Sequence, residues 1–150
     1  MNNISVQTFL EDAVDAQRVE LEVLSLIQKK YPNAAKVEGN FKYYDLEVPE
    51  VATIEVKHDK QSKVTGNFFI ECSFNDQPSG LESSTADWWV FVDEDGYYFI
   101  HGESLKFLLK LKHCLLRTIT GTDGTKILYR LLKKDDLLYS PYCTFLKRSV

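Results

Sequence analysis

Apolar residues at spacings of three and four mark the first stretch of the chain: Ala13, Ala16, Val19, Val23, Leu24, Leu26 and Ile27 form one stripe. That period predicts an amphipathic helix from about Ser5 to Lys30. Tyr31-Pro32-Asn33 ends it, because proline disfavours helical geometry in the residue before it. The period then falls to two. Residues 34–42 predict a first strand, with Gly39-Asn40 as a turn or bulge. Residues 43–57 predict two short strands joined by a Val48-Pro49-Glu50-Val51 turn, the proline sitting where no ladder donor is needed. Tyr44, Leu46 and Val48 point one way and Tyr43, Asp45 and Glu47 the other. On the second arm Ile54 and Val56 face the core, while Thr53, Glu55 and Lys57 face outward.

The polar run His58 to Lys63 predicts a loop, and Phe68-Phe69-Ile70-Glu71-Cys72 a central strand ending near Glu71. Ser79 with Glu82 three residues later is a capping-box start for a short helix through about Ala86. Trp88 to Val92 and Tyr97 to Ile100 read as strands joined by the hairpin turn Asp93-Glu94-Asp95-Gly96. Both are almost continuously apolar, so their aromatic rings are assigned to packing rather than to base stacking. A helix follows from Ser104 to about Leu116, basic at Lys106, Lys110 and Lys112. Thr118 to Lys126 reads as a loop, Ile127 to Leu132 as a final strand, Lys133 to Leu138 as a short helix, and Ser140 to Val150 as a mobile tail.

Composition narrows the class. The chain has 150 residues, 44% of them hydrophobic and 27% charged, the balance of one globular domain, 1–150, rather than a disordered chain. No apolar run approaches the length of a membrane span and the N-terminus has no signal-like order, so an intracellular protein without a membrane partner is expected. Cys72, Cys114 and Cys143 are odd in number and lack metal-site spacing, which makes them reduced packing residues. The net charge of −4 is unevenly spread: residues 101–150 carry 10 Lys+Arg against 4 Asp+Glu, a net of +6, beside a remainder at −10. A metal centre uses the acidic part and a phosphate track the basic part; a solvated surface with accidental asymmetry accounts for the charge equally well.

The chemistry concentrates in Asp45, Glu55 and Lys57, which the alternation sets on one sheet face. Two carboxylates suit a hard divalent cation, and a lysine beside them eases their repulsion and can orient or deprotonate a metal-bound water. That is the equipment of metal-assisted phosphodiester hydrolysis. The competing reading is a cross-strand ion-pair cluster. Glu20 falls on the flank of the helical stripe, where a carboxylate has either a partner, Arg18 or Lys30, or a role at the site; Glu22 points away.

Asp45 followed by Glu55-Val56-Lys57 resembles the signature of the PD-(D/E)XK, restriction-endonuclease-like, nuclease superfamily, with Tyr44 in place of its proline. Glu20-Leu21-Glu22-Val23-Leu24 resembles the Glu-x-Glu-apolar-apolar stretch of its junction-resolving members. Thr65 to Glu71, Pro78-Ser79-Gly80-Leu81 and Ala86 to Phe91 resemble a running pattern of its small phage-type members. The resemblance implies an α/β fold with a mixed central sheet of four or five strands flanked by helices. It implies a magnesium- or manganese-dependent DNA endonuclease, acting on branched or junction DNA, with a homodimer as its plausible assembly. Asp45 and Glu55 would bind the metal with help from the Val56 carbonyl, Lys57 would activate water, and Glu20 would assist from the helix. Glu71 would support them. Lys63, Ser79, Ser83, Lys106, Lys110 and Lys112 are candidate DNA contacts. The alternatives are an inactive DNA-binding or scaffolding protein of the same fold, and an unrelated α/β protein whose acidic cluster is structural.

Overall fold

The structure, a computed structural model, describes residues 4–38 and 43–149. Along the chain run helix α1 (Ile4–Gln28), strands β1 (Ala35–Lys36), β2 (Leu46–Val48) and β3 (Ala52–His58), and the short helix α2 (Ser62–Thr65). Strands β4 (Asn67–Phe74) and β5 (Gln77–Pro78) follow, then a 3-10 turn (Gly80–Glu82), β6 (Trp88–Val92), β7 (Gly96–His101) and helix α3 (Gly102–Leu111). The chain closes with β8 (Arg117–Thr120), β9 (Lys126–Lys133), helix α4 (Lys134–Leu138) and β10 (Thr144–Lys147). The predicted turn at Gly39-Asn40 and the strand residues 39–42 lie outside the described residues.

The architecture is mixed α/β with two sheets. One has the order β1-β2-β3-β6-β7-β10, antiparallel except for the parallel pair β3 and β6; the other, β5-β4-β9-β8, is antiparallel throughout. A single sheet of four or five strands was the expectation. The chain exceeds it because the connection from β3 to β6 makes an excursion, leaving the first sheet to build β4 and β5 before returning.

The first sheet separates two cores. Val19 and Val23 of α1 pack with Leu46, Val48, Ile54, Val56, Val90, Val92 and Tyr97 on one side. Trp89, Phe91, Tyr98 and Ile100 pack with Phe68, Ile70, Leu132 and the α3 leucines Leu105, Leu108 and Leu109 on the other. Strand β6 is thus buried on both faces, which is why its sequence, Trp-Trp-Val-Phe-Val, does not alternate. The α1 stripe is buried only from Val19 onward; Ala13 and Ala16 are exposed, and that end of the helix is tied by Lys60, whose Nζ lies 2.7 Å from Asp12 and 2.6 Å from Asp15.

Several expected elements differ. The polar stretch after β3 is not all loop: Asp59 Oδ1 accepts from the backbone N–H groups of Gln61 and Ser62 at 2.9 and 2.8 Å and turns the chain into α2. Ser79 precedes a 3-10 turn, not an α-helix, and its hydroxyl makes no capping bond. Helix α3 stops at Leu111 rather than Leu116. There Cys114 N–H bonds the Leu109 carbonyl and His113 N–H the Lys110 carbonyl, with His113 at φ 53°, the Schellman closure without its usual glycine. The predicted loop 118–126 contains β8, whose β-branched Thr118, Ile119 and Thr120 suit a strand. Strand β9 is not the last.

The tail is not loose. Strand β10 pairs with β7, the Phe145 ring lies 5.0 Å from that of Tyr98, and a Cβ on Gly96 would collide with Phe145, so the crossing needs glycine there. Arg148 then closes the sheet onto α1: its Nη2 and Nε meet Glu22 at 2.7 and 2.9 Å, and Tyr97 donates to the same carboxylate at 2.7 Å. Arg148→Ala leaves a half-buried carboxylate without its cation and should lower stability by about 2 kcal/mol in urea denaturation. The exposed neighbour Lys147→Ala should change it by less than about 0.5 kcal/mol.

Candidate active site

The β2–β3 hairpin turns at Val48-Pro49-Glu50-Val51, where Val51 N–H bonds the Val48 carbonyl at 2.9 Å and Glu50 takes φ 64°. Proline at the second position and positive φ at the third are type II geometry. The turn sets the register Leu46 to Ile54, sending Leu46, Val48, Ile54 and Val56 into the α1 core. Asp45, one residue before β2, is held against β3: its N–H donates to the Ile54 carbonyl at 2.9 Å, and its Oδ2 accepts from the Val56 N–H at 2.8 Å. Val56 therefore meets Asp45 through its amide hydrogen.

Glu55 and Lys57 project from the opposite side of β3, two residues apart, with Lys57 Nζ 2.9 Å from Glu55 Oε1. The outward face expected for them is not solvent. Beside β3 stands β6, Glu55 in register with Trp89 and Lys57 with Phe91, so Glu55 is 9% exposed. The Lys57 ammonium lies 5.6 Å from the Trp89 ring centroid, within cation–π range.

Glu20 and Glu22 of α1 part company. Glu20 lies 3.5 Å from Lys36 on β1, neither of the partners expected for it, and its charge is felt at Glu55. Glu22, expected to point away from the packed face, is instead the half-buried acceptor of Arg148 and Tyr97.

The charges in this cluster do not balance. Burial, followed by the charge of Asp45, raises the Glu20 carboxyl, while Lys36 pulls it down. Burial raises Asp45 against the Val56 bond and the lysines. Burial also pushes Glu55 from 4.5 up to about 7; Lys57 opposes this and Asp45 and Glu20 add to it. For Lys57 burial works downward, but Glu55, Asp45 and Glu71 outweigh it and hold the ammonium above its usual value. Two lysines, Lys36 and Lys57, are set against the carboxylates of Glu20, Asp45, Glu55 and Glu71.

Glu71 lies on β4, across a cavity of about 570 Å³ that Lys57 also lines, with His58, Asn67, Phe69, Trp89 and Tyr129 among the other walls. The remaining candidates engage elsewhere. Lys63 pairs with Glu94 at 2.6 Å, Lys106 with Glu103 and Lys112 with Asp136, each at 3.6 Å. Lys110 lies with Lys106 and Arg130 around a separate cavity. Ser83 Oγ is 3.4 Å from the Gly80 carbonyl, and the buried Ser79 hydroxyl has no partner among the described residues. Lys36 and Trp89 were missed as site residues: Lys36 sits in a two-residue strand with no motif, and Trp89 reads from sequence as core, which it also is.

Among the described residues no group of three or more His, Cys, Asp and Glu side chains is arranged to hold a metal ion. The donors on hand are the carboxylates of Asp45 and Glu55, with Glu20 behind them. Compared with known proteins, the chain matches no family model and no curated protein.

The raised Glu55 carboxyl has a thermodynamic signature. Its folded value lies above the unfolded 4.5, so its contribution to stability is fully present below pH 4.5 and lost as pH rises through about 7. In metal-free buffer, wild type should lose on the order of 2–3 kcal/mol relative to Glu55→Gln between pH 4 and pH 8. Urea denaturation of both proteins across that range measures it, and a constant difference would refute the raised value.

Proposed function

We propose that the protein is a divalent-metal-dependent DNA endonuclease of the PD-(D/E)XK kind, using magnesium or manganese. The observation that carries this reading is Glu55: a carboxylate buried on the sheet face it shares with Trp89, touching Lys57 and raised further by the charges of Asp45 and Glu20. Buried acids whose charges act on one another favour either a proton or a cation. Magnesium needs only one or two carboxylates and keeps its own waters, so Asp45 and Glu55 fit as ligands without a closed cage. The hairpin next to a parallel strand pair, with a helix supplying Glu20, also agrees with the resemblance in the sequence.

Bound there, the metal would supply charge neutralisation at the phosphate and a more acidic water. The chain's own residues have separable tasks. Asp45 and Glu55 bind, Asp45 with one oxygen already oriented by the Val56 amide. Lys57, held charged by its acidic neighbours, orients the attacking water and stabilises the negative charge that develops on the phosphoryl oxygens. Glu20 tunes the field, itself restrained by Lys36. A second reading, a DNA-binding scaffold that does not cut, draws on the Glu55–Lys57 ion pair, which satisfies two of the charges without a cation.

Incubation with supercoiled plasmid, a four-way junction and a flapped duplex, in magnesium or in chelator, tests the proposal. Cleavage is expected in magnesium alone. Lys57→Ala should keep the fold and DNA binding while cleavage falls at least about a hundredfold, and Glu55→Gln should do the same. Wild-type cutting by Lys57→Ala would overturn the role given to Lys57; binding without cleavage by wild type would favour the scaffold.

A further inference from the structure

Among the described residues the second sheet leaves one face uncovered beside the candidate active site. Phe68, Ile70 and Leu132 enter the larger core, so alternation sends Phe69, Glu71, Tyr129 and Leu131 to the opposite face. Register sets Phe69 against Leu131 and Glu71 against Tyr129. The rings of Phe69 and Tyr129 stack, with centroids 4.5 Å apart and planes at 19°. Phe69 is 39% exposed and Ile119 of β8 45% exposed. These side chains form one wall of the 570 Å³ cavity whose other wall carries Lys57, His58 and Trp89. Its volume lies within the roughly 300–1,000 Å³ of small-molecule sites. Lys57 therefore belongs to both places: its ammonium touches Glu55 and its side chain lines the aromatic cavity.

We propose that this cavity receives an unpaired nucleobase of the DNA strand being cut, stacked against the Phe69–Tyr129 pair. The inference rests on the nuclease reading and adds its substrate class: DNA with an unpaired nucleotide beside the scissile phosphate, as in a flap, a single-stranded end or an open branch point. Aromatic rings next to cationic side chains are what single-strand binding requires, the rings for bases and the cations for the backbone. The surroundings supply the cations. On β9 alternation sets Lys133 on the same face as Tyr129 and Leu131, in register with Asn67 of the cavity wall. Arg117 is in register with Tyr129, at the rim of the ring pair.

The acids in the cavity do not oppose this. Asp59 spends its oxygens on the chain: Oδ1 accepts from Gln61 and Ser62, and Oδ2 accepts from Phe69 N–H at 3.2 Å. That last bond ties the end of β3 to β4 and makes Asp59 a positioning residue for the ring. Glu71 and Lys57 line the cavity together and attract one another. A fully paired duplex keeps its bases in the stack and has no free base face to offer. A second copy of this chain is a poorer occupant, because Lys57 and Glu71 would be charged groups at the centre of the buried interface.

Binding in chelator separates this proposal from catalysis. Oligonucleotides carrying 2-aminopurine, as a single strand, at a flap junction and in a full duplex, would be titrated with wild type and with Phe69→Leu and Tyr129→Leu, which keep apolar cover but lose the ring. For wild type, fluorescence quenching is expected with the single strand and the flap and not with the duplex. Each leucine variant should weaken single-strand and flap binding about tenfold and leave duplex binding unchanged, while Phe69→Tyr retains wild-type affinity. Thermal melts confirm that the variants fold, and Arg117→Ala, which alters no core residue, should weaken the same two substrates if either does not. Equal affinity of wild type and the leucine variants overturns the base site, as does an equal loss on all three DNAs. A leucine variant that converts a dimer to a monomer without altering DNA affinity assigns the face to self-association and also overturns it. Quenching by wild type without cleavage in magnesium would sink the endonuclease reading instead, and cleavage with ring-independent binding would sink only this one.

Discussion

Everything in this molecule depends on β3 being enclosed from both sides. Ile54 and Val56 go into the core under α1, and the alternation that puts them there forces Glu55 and Lys57 toward β6 and the second sheet. A surface hairpin with the same residues would hold them as solvated ions worth little to each other. Here Trp89 closes over the strand, water is reduced, and every charge near Glu55 acts through a medium less polar than bulk solvent. The perturbed carboxyl at about 7 is a consequence of that enclosure first and of its neighbours second.

The same enclosure explains which parts of the structure were readable in the residues. The β2–β3 hairpin, the β6–β7 hairpin and α1 announce themselves through period and turn chemistry, because their signals are local. The alternation of 43–57 correctly separates Leu46, Val48, Ile54 and Val56 from Asp45, Glu55 and Lys57. It carries no information on what covers the second group, and so a face read as outward is interior. What covers Glu55 comes from Trp89, over thirty residues further along, and the far wall of the cavity comes from a second sheet whose β8 reads as a loop because threonine and glycine obscure the short β-branched run Thr118-Ile119-Thr120.

The tail fails for a related reason. Thr144 to Lys147 has little to mark it as a strand, since two of its four residues are polar and it is only four residues long. It is a strand because β7 presents an open edge and Arg148 finds Glu22 and Tyr97 at the far end. Both of those contacts are made by residues whose local context points elsewhere: Glu22 by helical phase and Tyr97 by its place in an apolar run. Long-range pairing of this sort is set by topology, and a helical wheel or an alternation count is blind to it. It also divides the α1 glutamates by task, Glu22 fastening the sheet and Glu20 left facing the acids of the hairpin.

Two interactions of Lys57 decide how the candidate site is to be understood. Toward Glu55 it is a counter-ion, and a structural ion pair would need nothing more. Toward Trp89 and the aromatic cavity it is a half-exposed cation on the wall of an open space. An ion pair kept for stability alone has no need of an open cavity beside it, and a hydrophobic pair of similar size would stabilise the fold at least as well. A lysine that must reach a substrate cannot be closed off. Lys57, pinned at its ammonium by an acid and open along its flank, stays charged and remains accessible from the cavity.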